Sequence, residues 1–206
     1  QKDEAKKIYL SWIKNAVLKA ERSDIIARQI AKSLVEKMPS PISWEGVSKD
    51  IEIKSPKTVS AYIELFNSIY CSIVLYSIDV SGKKIKFVKN KKVHLTDPLL
   101  LEIFEEWCMI NAKNRESLIA EQVAASHIWR LLSDAYFWRN GMEVDIIAFE
   151  NKSLFGFEVK WADNIAEKEA GDISSSAKKS LPQLNNFFML TKKSAYPDKM
   201  TVPLSA

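Results

Sequence analysis

Apolar residues recur every three or four positions through the first 70 residues of the chain and at every second position just after. Ile8, Trp12/Ile13 and Val17/Leu18 predict an amphipathic helix over residues 4–20. Ile26, Ile30, Leu34 and Met38 predict a second, capped by Ser23 or Asp24 and stopped by Pro39. Val47 and Ile51 mark a short third helix that starts from Ser43. Ser55-Pro56 joins a capping side chain to a proline at the first helical position, where no N–H is needed. The helix it opens turns Val59, Ile63, Phe66 and Ile69/Tyr70 inward and leaves Lys57, Ser60, Ala61 and Glu64 outside. Then the period changes. Ile73–Ile78 and Lys84–Val88 read as strands around a Ser81-Gly82 turn, and Val93–Leu95 as a further strand. Asp97-Pro98 repeats the cap-plus-proline start for a helix reaching about Asn111.

Helices followed by a β-ribbon are the order of a winged helix-turn-helix, here over residues 21–112 behind a helical lead at 1–20. The helix from Ser55 would be the recognition helix and residues 80–92 the wing, where six lysines (Lys83, Lys84, Lys86, Lys89, Lys91, Lys92) stand with no acid among them. DNA binding would use Lys57 and Ser60 on the helix and Lys83, Lys84, Lys86 and Lys89 on the wing. The plainer reading is a solvated hairpin, since lysine-rich edges also block strand-to-strand aggregation.

From residue 113 the pattern is that of an α/β domain. Residues 115–132 form a helix with Leu118, Ala125, Ile128 and Leu132 on one stripe. Glu121 shares that stripe, and a carboxylate facing a core needs a partner. Gln122 and Arg130 fall off the stripe and read as surface. Strands are predicted at Ala135–Trp138, Met142–Phe149 and Leu154–Trp161, with turns at Asn140-Gly141 and Asn151-Lys152-Ser153. If Phe149 opposes Leu154, Asp145 faces Glu158, and Lys160 projects from the same sheet face. Two opposed carboxylates repel, so a cation belongs between them: Lys160 or a divalent metal.

Charge and composition sharpen this picture. The net charge of +4 divides into +5 over residues 1–114 and −1 over 115–206, so the first part favours a polyanion more than the second. No GxxxxGK[ST] occurs, which excludes a P-loop in this chain. Cys71 and Cys108 form no CxxC pair, and His94 and His127 stand at unrelated places, so neither a zinc site nor a disulfide framework is indicated. No apolar run approaches membrane-helix length and no signal peptide opens the chain, which points to a cytoplasmic protein without membrane contact.

Asp145 followed by Glu158-Val159-Lys160 on the next strand, with Glu121 on the preceding helix, is similar to the PD-(D/E)xK restriction-endonuclease-like superfamily. The stretch FWRNGMEVDIIAFENKSLFGFEVKW resembles the C-terminal domain of archaeal AAA+ ATPases, and SPKTVSAYIELF and VHLTDPLL resemble their winged-helix part. The resemblance covers about residues 23–190. It implies a winged helix followed by a nuclease-like domain with a mixed central sheet, the DNA-handling end of such an ATPase. ATP would enter only through a module not present in this chain, and the absent initiator Met fits a C-terminal fragment. The resemblance makes Asp145 and Glu158, with Glu121, the ligands of Mg²⁺ or Mn²⁺. Lys160 would steady the attacking water or the developing phosphorane charge, and Gln183 matches a residue that contributes from the following helix. DNA and the protein's own ATPase module are the implied partners, and an oligomer is possible. The competing reading is a non-catalytic DNA- or protein-binding module that regulates the ATPase. An open Asp145/Glu158/Lys160 cluster favours the enzyme; a buried cluster closed by a salt bridge favours the module.

Overall fold

A computed structural model describes residues 2–151, 153–196 and 200–204, so the Lys152 position of the second predicted turn lies outside the described residues. The chain divides into two compact units, residues 1–74 with 90–115 and residues 75–89 with 116–206. The architecture is α/β, with helices beside a mixed seven-stranded sheet. No helix among the described residues is long and apolar enough to cross a membrane.

The first unit holds α1 (Lys2–Lys19), α2 (Asp24–Lys37), α3 (Trp44–Asp50), α4 (Pro56–Ser68) and α5 (Pro98–Cys108). Each predicted cap is formed: Ser23, Ser43, Ser55 and Asp97 accept from the main-chain N–H of Ile26, Gly46, Thr58 and Leu99. Phe66 of α4 lies 5.7 Å from Phe104 of α5, ring centre to ring centre, and the Ser23 N–H donates to the Tyr62 hydroxyl at 2.8 Å. The buried face of α1 differs from the predicted one. Ile13 and Val17 turn inward, whereas Ile8, Trp12 and Leu18 are exposed. Tyr70, expected inside, is exposed because it sits past the end of α4 with a left-handed φ of 56°.

The strands are β1 (Ser72–Asp79), β2 (Lys84–Leu95), β3 (Ala135–Asn140), β4 (Met142–Glu150), β5 (Ser153–Lys160), β6 (Asn186–Thr191) and β7 (Thr201–Pro203). Their order across the sheet is β2-β1-β3-β4-β5-β6-β7. The predicted strands Lys84–Val88 and Val93–Leu95 are one continuous β2. The hairpin tip groups with the second unit because β1 pairs in parallel with β3, Tyr76 beside Tyr136. Two of the six hairpin lysines are not available to a ligand: Lys91 and Lys92 are buried. Lys91 lies 5.0 Å from the centre of the Trp44 ring, and burial pushes its pKa down.

In the second unit α6 (Arg115–Leu132, counted here from Glu116) precedes β3, and α7 (Glu167–Ser180) crosses back between β5 and β6. Gly141 takes a φ of 74° between β3 and β4, the conformation the Asn-Gly pair predicted. Phe149 opposes Leu154 and Ile146 opposes Phe157, the expected register. Ala170, Ile173 and Ala177 of α7 face the apolar layer built on Ile147, Leu154, Leu184, Phe187 and Met189. Gly156 sits under this layer. A Cβ there would stand 2.9 Å from Leu184 Cδ1 and 3.3 Å from Phe187 Cδ2, both in the packed core. Gly156→Ala should therefore lower stability by about 1–3 kcal/mol in urea unfolding. An unchanged midpoint would mean that Leu184 yields freely.

Candidate functional site

The site grows from a defect in strand pairing. Tyr136 pairs with Ile147 and Trp138 with Val144, so Asp145 and Ile146 together oppose the single residue Phe137. This extra residue is a β-bulge, a device that re-aims a side chain where a ladder is interrupted. On the other side of β4, regular pairing with β5 is recorded up to Ile146 and Phe157. Beyond that pair, the Val159 N–H donates to Asp145 Oδ2 at 2.9 Å. The carboxylate of Asp145 thus takes a main-chain donor of β5, and it is this oxygen, not a turn, that ties the two strands at their site end.

Glu158 and Lys160 lie two residues apart on β5, hence on one face, and Lys160 Nζ stands 2.8 Å from Glu158 Oε1. Burial pulls the Lys160 ammonium down. The hydrogen bond and charge of Glu158, then the charges of Asp145 and Glu121, outweigh it and hold its pKa above the ordinary lysine value. Glu121 of α6, Asp145 of β4 and Glu158 of β5 therefore each act on Lys160. Their exposure is uneven: Glu121, Asp145 and Glu158 are 7, 9 and 8% exposed, while the Lys160 side chain is 40% exposed. The acids are buried and the amine reaches solvent.

A ring of surface groups borders this place. The Trp161 indole N–H donates to Glu116 Oε2 at 3.0 Å, and Lys192 reaches both Glu116 and Asp163, at 3.3 and 3.2 Å. These contacts hold the Glu116 carboxyl below its usual range, the Trp161 hydrogen bond foremost. Lys192 also stands 5.7 Å from the centre of the Trp161 ring.

Other expected residues fall elsewhere. Gln183 is exposed in the turn before β6, at the wrong end of the sheet. Asn185, two residues on, bonds Leu154 at the start of β5 through its main-chain N–H (3.2 Å) and accepts from the Leu154 N–H (2.9 Å). Lys160 lies six residues beyond, roughly 20 Å away along a strand. Ser60 donates to Glu64 at 2.9 Å on its own helix. Lys57, Lys83, Lys84, Lys86 and Lys89 are exposed, but Lys83 packs 5.0 Å from the centre of Phe149 and Lys86 reaches Asp79 at 3.6 Å.

Gln122 is the residue that sequence reasoning missed. It was assigned to the surface, yet it is fully buried, and no described group pairs with either end of its amide. The signal that it lies inside is the run of small residues Ala120, Ala124, Ala125 and Ser126, which lets α6 bury more than one face.

The donor set has the right chemistry for a hard divalent cation, but not as a three-carboxylate cage. Among the described residues no three His, Cys, Asp or Glu side chains are gathered to hold a metal ion. The carboxylates of Asp145 and Glu158 are of the kind Mg²⁺ takes, since it is commonly held by one or two carboxylates with water and substrate phosphate completing the shell.

Residues 114–205, just under half of the chain, match the family described as "Domain of unknown function (DUF4143)". That family is typically found in proteins associated with AAA ATPases. Neither a curated protein nor a solved structure matches the chain.

Proposed function

We propose that the second unit is a divalent-metal-dependent phosphodiesterase module acting on DNA, the nuclease-like part of an archaeal AAA+ ATPase whose ATP-binding module lies outside these residues. The observation that supports this most is the coupling of Glu121, Asp145 and Glu158 to a half-exposed Lys160. Packing alone gives no reason to keep such a group, because apolar residues in place of a buried ion pair are often neutral or stabilising.

Asp145 and Glu158 would hold Mg²⁺ or Mn²⁺, with Glu121 reaching it through water. Such an ion, when bound, polarises a phosphoryl oxygen and makes its water a stronger acid. The chain's own residues do the rest. Lys160 leaves Glu158 to meet the negative phosphate, carrying the full charge of a lysine at neutral pH. The Val159 N–H holds Oδ2 of Asp145 still. The bulge keeps β4 from completing its ladder at Asp145.

The second reading, a non-catalytic regulatory module, draws on the same contacts. The carboxylates are buried and Glu158 is closed by the Lys160 ion pair. These two contacts favour the module, and the enzyme reading rests on the half-exposed amine.

Thermal melts with and without Mn²⁺ separate the two. Wild type should gain about 2.7 kcal/mol at a hundredfold excess of metal over its dissociation constant. Asp145→Asn keeps a carbonyl oxygen for the Val159 N–H, so its metal-free melt should stay close to wild type while the metal-dependent gain disappears. A wild type that neither shifts with Mn²⁺ nor nicks plasmid DNA makes the regulatory module the better reading.

A further inference from the structure

We propose that the outer edge of β2, from Lys84 to Lys89, is a docking strand for an extended acidic segment of a partner protein. Among the described residues β2 ends the sheet order, next to β1. Lys91 shows which main-chain groups face outward, because it exchanges both of its bonds with Ile42, at 2.8 and 2.8 Å, on the side away from β1. The two-residue repeat of a strand sends the N–H and C=O of Lys89, Phe87 and Ile85 the same way.

An edge protected only against aggregation would carry lysine and little else. This one also carries large apolar side chains in water: Val88 is 98% exposed and Phe87 61%. Lys83, Lys84, Lys86 and Lys89 surround them, all exposed. The occupant follows from those three properties together. A second copy would set lysine against lysine across the new pair, which is unfavourable. A DNA duplex would use the lysines but leave Val88 and Phe87 wet and the main-chain groups without ladder partners. An extended acidic peptide uses all three, with main-chain bonds for affinity and alternate side chains for specificity. Lys84, Lys86 and Val88 share one face, so the segment should read acid-x-acid-x-apolar in one chain direction or the other.

The test uses the 206-residue chain and a fluorescent synthetic peptide with that pattern, beside a scrambled peptide of equal composition and a labelled DNA duplex. The patterned peptide should bind at least tenfold tighter than the scrambled one. Lys89→Ala removes a charge; Lys89→Pro removes the charge and the outward N–H, at a place where an edge strand tolerates proline. Lys89→Pro should weaken the peptide at least tenfold more than Lys89→Ala does. Val88→Ser, a change at a fully solvated side chain, should weaken the peptide several-fold and leave duplex binding unchanged. Equal binding of both peptides, or equal losses for Lys89→Ala and Lys89→Pro in folded protein, overturns the proposal. So does a duplex that competes fully while Val88→Ser is silent, which would make the hairpin a plain polyanion contact.

Discussion

Lys160→Ala is expected to lower Mn²⁺-dependent plasmid nicking by about 10²–10³-fold, the usual cost of removing one group aimed at transition-state charge. Its effect on metal binding should run the other way. In the metal-free protein Lys160 holds Glu158 Oε1 at 2.8 Å, and an incoming ion must displace it. Without the ammonium, Glu158 is released to the ion, so the variant's Mn²⁺-induced melting shift should equal or exceed that of wild type. The metal-free variant should melt lower, because a carboxylate with little access to water has lost a charged partner. The half-exposed lysine keeps that loss below the full cost for a buried pair. This split, metal response kept and nicking lost, separates a lysine that acts on substrate from one that merely braces Glu158. If Lys160→Ala nicks as well as wild type, the lysine has no part in the chemistry and the activity belongs elsewhere.

The parts of the fold that were legible rest on short-range physics. A serine or aspartate before a proline can do little but start a helix, and Ser55-Pro56 and Asp97-Pro98 do so. Asn140-Gly141 and the apolar alternation after it set the β4–β5 register, because a slip by one residue would turn Ile147 and Leu154 out of the core. With that register, the meeting of Asp145, Glu158 and Lys160 follows. The bulge at Asp145 was not legible, since no glycine or proline marks it; it is seen only where Val144 and Ile147, three apart, both reach the same core.

What failed depended on which neighbours an element meets. α7 carries its inward face on Ala170, Ile173 and Ala177, too small and too sparse to stand out as an apolar stripe. Gln183 rests on the resemblance alone, and the crossover carries it to the far end of β5 from Lys160. α6 buries Ala120, Glu121, Gln122, Ala124, Ala125 and Ser126, so a single stripe described only part of what it hides. Lys91 and Lys92 read as continuing the basic hairpin, yet the strand passes from an exposed half to a buried half at Asn90, and charge alone gave no sign of that passage.

His94 lies in that buried half, and it should make the protein acid-labile well above the range where carboxylates titrate. It is wholly inside, and burial first, then the charge of Lys92, pushes its pKa down to about 3 from the ordinary 6.5. The folded state therefore holds a neutral imidazole while the unfolded chain takes up a proton below pH 6.5. Stability is fully present above that value and falls as the pH drops from 6.5 toward 3, by about 1.4 kcal/mol for each unit. Between pH 6.5 and 4.5 the loss approaches about 3 kcal/mol, a large share of what holds an ordinary domain. His94→Leu cannot take up that proton. Its own urea midpoint at neutral pH will differ, since the side chain is packed, but its slope against pH over this range should be flatter by that amount. Urea unfolding of both proteins at half-unit steps from pH 7 to 4.5 reads the difference, and parallel slopes would show that His94 is already protonated in the fold.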